Sequence, residues 1–259
     1  RKIKPIYYIL SNASTNKPRL TISVFNCKGG TGKSATTLNL GASLANSKRQ
    51  ILLIDTDGQR TLSFALGLDG TQPTTLDWLN NTGDIIPTPT SIKNLYLIPG
   101  DIGMFQINPS KDLFTPALSK LKEFDIVLMD CPPGLSPASV QAILASDRIL
   151  IPTTLEPASL KGLSEAVELI RGEREDIEID VVRTRYKPRL VLTKEADELL
   201  AEAAAELDYR LLNTTIPDNI AVAESIAQQQ PVIEYAKRSS GAKAYKSLAK
   251  ECIKHWEKK

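Results

Sequence analysis

The sequence predicts an α/β fold, a mostly parallel sheet flanked by helices on both faces, and three observations predict it. Short runs of apolar, β-branched residues recur along the chain, each followed by a segment of helical periodicity. Repeated units of this kind bury a parallel sheet between two layers of helices. A glycine-rich loop, KGGTGKS at 28–34, stands between the first such run and the first helical segment. Two of the runs end in aspartate, Asp55 and Asp130, at the strand ends where an open α/β sheet collects its ligand.

In chain order, LTISVFN at 20–26 is an apolar, β-branched run, as a buried parallel strand requires. The helix predicted at 33–47 places Leu38, Ala42 and Ala45 on one face. ILLID at 51–55 is a second buried strand. Residues 69–91 are rich in Thr, Pro, Asn and Gly, and predict a loop-dominated excursion with one short helix near Trp78. Further strands are predicted at 94–99, 124–130, 148–153, 177–182 and 210–216. Between and after them lie helical patterns at 111–122, 136–145, 159–174, 193–207, 219–228 and 240–257. The last carries a stripe of Ala242, Tyr245, Leu248, Ala249, Cys252 and Trp256, with lysines opposite. Its alanines suit close packing on a core better than insertion into a membrane.

At 259 residues and 42% apolar content, the chain suits one large domain over 20–259. Residues 1–19 hold five basic residues and no acid, and are read as an extension outside the core, too short for a helix-turn-helix domain. A net charge of +2 implies no global attraction to nucleic acid. No run approaches the ~18 apolar residues of a membrane-spanning helix. IYYIL near the start is too short for a signal peptide. Three cysteines without a CxxC pair predict a reducing compartment, hence the cytoplasm.

The loop carries the chemistry. Gly29, Gly30 and Gly32 let successive N–H groups turn inward toward phosphate oxygens, with Thr31 and Ala35 contributing backbone. Lys33 brings a cation to the β- and γ-phosphates, and the Ser34 hydroxyl is placed to ligate Mg²⁺. These are the parts of a P-loop, so the fold expected is that of a P-loop NTPase using ATP and Mg²⁺. Position 27 is Cys where the general pattern has its first glycine, and Lys28 precedes the glycine pair. That K-G-G-x-G-K-[ST] form resembles the deviant Walker A loop of the ParA/MinD family of ATPases.

In that family the first lysine, Lys28 here, reaches across a dimer interface to the partner's nucleotide. IDTDGQ at 54–59 is similar to the family's D-x-D-P-Q segment, with Gly58 in place of the proline. The two carboxylates are expected to divide two tasks at the strand end, one toward the metal and one toward the attacking water. Asp55 is thereby expected to face Mg²⁺, and the resemblance makes Asp57 the residue that positions water. FDIVLMD at 124–130 has the Walker B arrangement, with Asp130 on Mg²⁺. IPDNIAVAES at 216–225 is similar to the family's I-P-x-N segment, which puts Pro217 and Asn219 at the adenine.

The resemblance covers about residues 20–255 and is closest to partition ATPases without an N-terminal helix-turn-helix domain. It implies an ATP-dependent homodimer that binds DNA non-specifically, works on the nucleoid, and answers to a ParB-like adaptor that stimulates slow hydrolysis. A membrane-cycling regulator similar to MinD, or a positioning ATPase for a protein cargo, is the alternative. Arginines that help other members bind DNA are replaced here by Asp218 and Ala221. Basic residues cluster instead at Arg183, Arg185, Lys187 and Arg189, and at Lys243, Lys246 and Lys250, the candidate contacts to a phosphate backbone. Cys27 and Cys131 flank the nucleotide loops and are read as small buried residues.

Overall fold

The computed structural model describes residues 20–81 and 85–257, so the predicted extension 1–19 and the last two lysines lie outside the described residues. The chain forms β1 (Leu20–Val24), α1 (Lys33–Leu44), β2 (Ile51–Asp55), α2 (Thr61–Ala65), α3 (Thr75–Asn80), β3 (Thr88–Pro89) and β4 (Leu95–Ile98). There follow α4 (Phe114–Leu118), β5 (Ile126–Asp130), α5 (Pro137–Ala145), β6 (Arg148–Thr153), α6 (Pro157–Glu173) and β7 (Glu178–Tyr186). The chain continues with α7 (Val191–Glu206), β8 (Arg210–Pro217), α8 (Ile220–Ala227), α9 (Val232–Tyr235) and α10 (Ser240–Trp256).

The strands stand in the order β3-β4-β2-β5-β1-β6-β7-β8, all pairs parallel except the short edge pair β3–β4. Residues of β2, β5 and β6 are buried without exception, because helices cover both faces, and this is why the runs read as continuous rather than alternating. One apolar core joins Trp78, Phe114, Val127 and Ile170 on one face, and another joins Leu38, Leu53, Tyr245 and Trp256 on the other. The predicted stripe of α10 lies in the second core, with Tyr245 2% and Leu248 0% exposed. Among the described residues no helix is long and apolar enough to cross a membrane. The order of strands reverses around β1, which pairs with β5 on one side and β6 on the other. The crevice outside those carboxyl ends is where such a sheet binds a ligand.

Several expectations are corrected. The helix expected at 111–122 contracts to α4, because Ser119 Oγ donates to the Pro116 carbonyl at 2.6 Å and the chain turns there. β7 runs four residues beyond its expected end at 182, since the charge of Arg183 is taken up inside the fold. α1 stops at Leu44 rather than 47. The sequence reading misses α2, α9, β3 and a 3-10 turn at Ile102–Gln106, all of five residues or fewer, too short to establish a period.

Candidate functional site

The loop after β1 enters α1 with no side-chain cap and no acid in the first turn. The first N–H groups of α1, over Ser34 and Ala35, are therefore free, and the helix dipole adds positive potential there. Gly30 (φ 76°) and Gly32 (φ 88°) hold left-handed backbone that a side chain would strain. Lys33 is 7% exposed, and its Nζ donates to the Lys28 carbonyl at 3.0 Å, arching over its own loop. Burial lowers the Lys33 pKa, against the opposing charges of Asp130 and Asp57.

Residues that the motif does not contain hold the loop in place. Asn26 Nδ2 donates to the Pro152 carbonyl and Asn26 Oδ1 accepts from Lys28 N, both at 2.9 Å. Thr184 Oγ1 lies 2.8 Å from the Thr31 carbonyl and 3.1 Å from that of Thr153, tying β7 and β6 to the loop. Asn26 sits two residues from Lys28 in sequence, but nothing in its context marks it. Thr184 contacts a loop 153 residues away.

Parallel register sets Asp55 beside Asp130 and Asp130 level with Val24, at the carboxyl ends of three neighbouring strands. Burial raises the pKa of both carboxyls, and the Asp55 charge raises Asp130 further, with Ser34 and Lys33 pulling it back. Their hydrogen bonding differs. Asp55 Oδ2 accepts from Ser63 N at 2.9 Å and Ser63 Oγ at 2.6 Å, and its Oδ1 accepts from Asp57 N at 3.2 Å. Asp130 Oδ1 lies 3.2 Å from Thr37 Oγ1, while its Oδ2 is buried with no hydrogen-bond partner among the described residues.

The two expected metal ligands differ in what their own chain leaves open. Asp55 uses both oxygens to hold the turn that follows it, whereas Asp130 keeps one oxygen free beside the Ser34 hydroxyl. A hard cation that takes one or two protein ligands, and fills the rest with water and phosphate, fits that arrangement. Among the described residues no group of three His, Cys, Asp or Glu forms an all-protein cage. Asp57 is 8% exposed and its Oδ1 accepts from Gln59 N at 2.9 Å.

Pro217 ends β8, and Asn219 is the N-cap residue of α8. β8 lies three strand spacings from β1, ~14 Å along the sheet. Asn219 Nδ2 donates to Ser240 Oγ at 2.8 Å, and its Oδ1 is buried without a partner among the described residues. That free acceptor suits an exocyclic amino group. Lys28 is met by its own chain. In the single chain its Nζ donates to Glu156 Oε2 at 3.1 Å and Ser159 Oγ at 2.7 Å, with 32% of the side chain exposed.

The predicted phosphate-backbone surface is corrected in part. Arg183 is 9% exposed. It pairs with Asp197 at 2.6 Å and donates to the Leu212 carbonyl at 2.5 Å, so it links the core and is closed to a partner. Arg185 and Lys187 are exposed but face Asp218 at 3.9 and 3.1 Å; folding brings an acid to a stretch that has none in sequence. Arg189 is exposed beyond the end of β7. Lys243, Lys246 and Lys250 are exposed on α10. Lys246 and Lys250 border, with Arg49, Lys93 and Lys237, a groove of about 1080 Å³ whose lining holds one acid, Glu234.

A family profile described as an AAA domain matches residues 19–181. The chain is 31% identical over 247 residues to the sporulation initiation inhibitor protein Soj of Bacillus subtilis (strain 168), spanning 89% of this chain and 96% of that protein. It is 31% identical over 255 residues to the chromosome partitioning protein ParA of Caulobacter vibrioides (strain NA1000 / CB15N), spanning 91% of this chain and 94% of that protein. The septum site-determining protein MinD of Pyrococcus horikoshii OT3, solved in complex with Mg-ADP, superposes with a TM-score of 0.77 at 27% identity. That alignment spans 92% of this chain and 97% of that one.

Proposed function

Because this chain belongs to the ParA/MinD family of ATPases, we propose that it is a partition or positioning ATPase that works as an ATP-dependent homodimer. In this reading ATP and Mg²⁺ close the dimer, the closed dimer binds DNA without sequence preference, and a ParB-like adaptor stimulates hydrolysis and release. The setting is the cytoplasm, on the nucleoid. The observation that carries the reading is the meeting of the uncapped loop 28–35, the unpartnered Asp130 oxygen and Asp57 at one edge of the sheet.

Backbone N–H groups of Gly29 to Ala35 bind the phosphates, and Lys33 exchanges the Lys28 carbonyl for a phosphate oxygen. Mg²⁺, held by Ser34 and Asp130, would offset charge on the β- and γ-phosphates. Asp57 orients the attacking water, and Asn219 and Pro217 hold the base. Lys28 leaves Glu156 and Ser159 for the nucleotide of the other subunit. One anion replaces another there, so the ammonium is paired in both states. Positioning a water and binding phosphate supply little else to the reaction, so turnover is slow.

Arg189, Lys243, Lys246 and Lys250 supply the contacts to phosphate backbone, and closing the dimer doubles their number on one body. Two variants test the reading. Lys28→Ala should bind a fluorescent ATP analogue yet give no ATP-dependent rise in light scattering, whereas Asp57→Ala should accumulate closed dimer. Both remaining monomeric with ATP would remove the role given to Asp57. Binding of random-sequence duplex should need ATP and fall steeply with salt; equal binding with and without ATP would sever DNA from the nucleotide. One observation favours the membrane alternative: Leu190, Val191 and Leu192 are 50%, 69% and 65% exposed at the start of α7, beside Arg189. ATP-dependent binding to anionic liposomes, with none to DNA, would move the reading there.

A further inference from the structure

The turn that presents Asp57 is braced from outside by the segment between β4 and α4. Gly100 N donates to Ser63 Oγ at 2.8 Å, and Ser63 Oγ donates onward to Asp55 Oδ2 at 2.6 Å. Thr75 Oγ1 lies 2.7 Å from the Asp55 carbonyl and 3.0 Å from that of Pro99, joining the two segments a second time. Asp101 caps the 3-10 turn at Ile102–Gln106 by accepting from Gly103 N at 2.7 Å. That turn carries Phe105, which is 54% exposed.

The Phe105 ring lies over Gly58, the residue after Asp57. A β-carbon added to Gly58 would fall 2.5 Å from Phe105 Cε2 and 2.7 Å from Cδ2 and Cζ, inside any permitted contact. Gly58 does not hold a left-handed φ, so a side chain there would meet the ring rather than strain the backbone, and one of the two would have to move. An aromatic ring left half in water forgoes part of its burial free energy, and its place above this peptide gives that exposure a use.

We propose that Phe105 is a positioning residue for hydrolysis. Its ring presses on Gly58 and fixes the peptide between Asp57 and Gln59, whose N–H holds Asp57 Oδ1 at 2.9 Å. The role rests on the reading of Asp57 as the residue that orients the attacking water. Phe105 fills the space above the turn, and the turn in turn sets the carboxylate.

Steady-state ATP hydrolysis of the full chain as Phe105→Ala, Gly58→Ala and the double variant tests this, with affinity measured separately by a fluorescent ATP analogue. Phe105→Ala should lower kcat about tenfold and leave KM for ATP within about twofold, since no phosphate contact changes. Gly58→Ala should also slow turnover, because its β-carbon and the ring cannot both keep their places. The double variant should be no slower than Phe105→Ala alone, because removing the ring makes room for the methyl group. Full kcat in Phe105→Ala, or losses that multiply in the double variant, would overturn the proposal. So would loss of ATP-dependent light scattering in Phe105→Ala, which would make the ring a contact between subunits. A wild type without ATPase activity would instead overturn the reading of Asp57. Hydrogen exchange of amides 57–63 still judges the brace in that case: faster in Phe105→Ala supports it, and unchanged removes it.

Discussion

Asp130 and Asp180 are 1% and 0% exposed, in neighbouring parts of one sheet but at opposite edges. Asp180, in β7 near the amino-terminal edge, is met in full by its own chain. Its Oδ2 accepts from Arg148 Nη1 at 3.2 Å and Trp256 Nε1 at 2.7 Å, and its Oδ1 from Arg210 Nη1 at 3.1 Å. Asp130, at the carboxyl edge, has one oxygen without a partner among the described residues. Taking a carboxylate out of water costs several kcal/mol unless other groups replace that water. Asp180 receives that replacement from three side chains and acts as a fastener. Asp130 is left short on one side, in front of a loop of free N–H groups, by what a cation would supply. Burial of a charge therefore does not mark a site; an incomplete set of partners does.

The contrast is broken most strongly at Asp180. Asp180→Ala leaves Arg148 and Arg210 with Glu178 as their remaining ion-pair partner and should cost about 3–5 kcal/mol. For a chain of this length that lowers Tm by roughly 10 °C, with ATP affinity unchanged, as read by circular dichroism and nucleotide titration. A variant that melts with the wild type would mean the two carboxylates are alike. Lys33→Ala comes next, with ATP affinity falling about a hundredfold, or ~3 kcal/mol, and calorimetry showing normal affinity would strip the loop of its role. Asp130→Ala should shift stability by no more than about 1 kcal/mol, because it removes a carboxylate that its own chain leaves incompletely paired. The same change should end the dependence of turnover on added Mg²⁺, and Mg²⁺ stimulation that survives it would place the metal elsewhere.

Glu251 sharpens the contrast at the small end. Its carboxylate accepts from Asn213 N at 2.6 Å and Thr214 N at 2.8 Å, joining α10 to β8. Burial works to raise its pKa, but the hydrogen bonds from Thr214 and Asn213 outweigh burial and hold it below the usual value of 4.5. A carboxyl depressed in the folded state adds stability above its unfolded pKa and loses it as pH falls through the folded one. Glu251→Gln should lower Tm slightly at neutral pH and by less in acid. An identical offset at every pH would show that charge has no part in it.

What the sequence makes legible is chemistry that is local along the chain. The loop 28–34 and the aspartates at the ends of two strands stand out because glycine spacing and strand endings are short-range signals. The short 3-10 turn at Ile102–Gln106 leaves no period to detect. The place of Ser63 depends on Gly100, 37 residues on, and that of Thr184 on Thr31. Arg183 looks like its basic neighbours in sequence, and only the fold shows Asp197 waiting for it 14 residues later. Asp218 is legible as a replaced arginine, but its position opposite Arg185 and Lys187 is set by β7 and β8 lying side by side.

The level alignment of Val24, Asp55 and Asp130 fixes where this chain can change length. Side chains alternate faces along a strand, so one residue added within Ile126–Asp130 would turn Asp130 away and shift everything after it. An extra residue at the Asn46–Arg49 turn, on the far side of the sheet, is taken up by exposed backbone instead. The amino-terminal edge and the outer connections are thus where added residues should be tolerated. A fusion tag or reporter domain placed in that turn would be carried without moving a single group at the opposite edge.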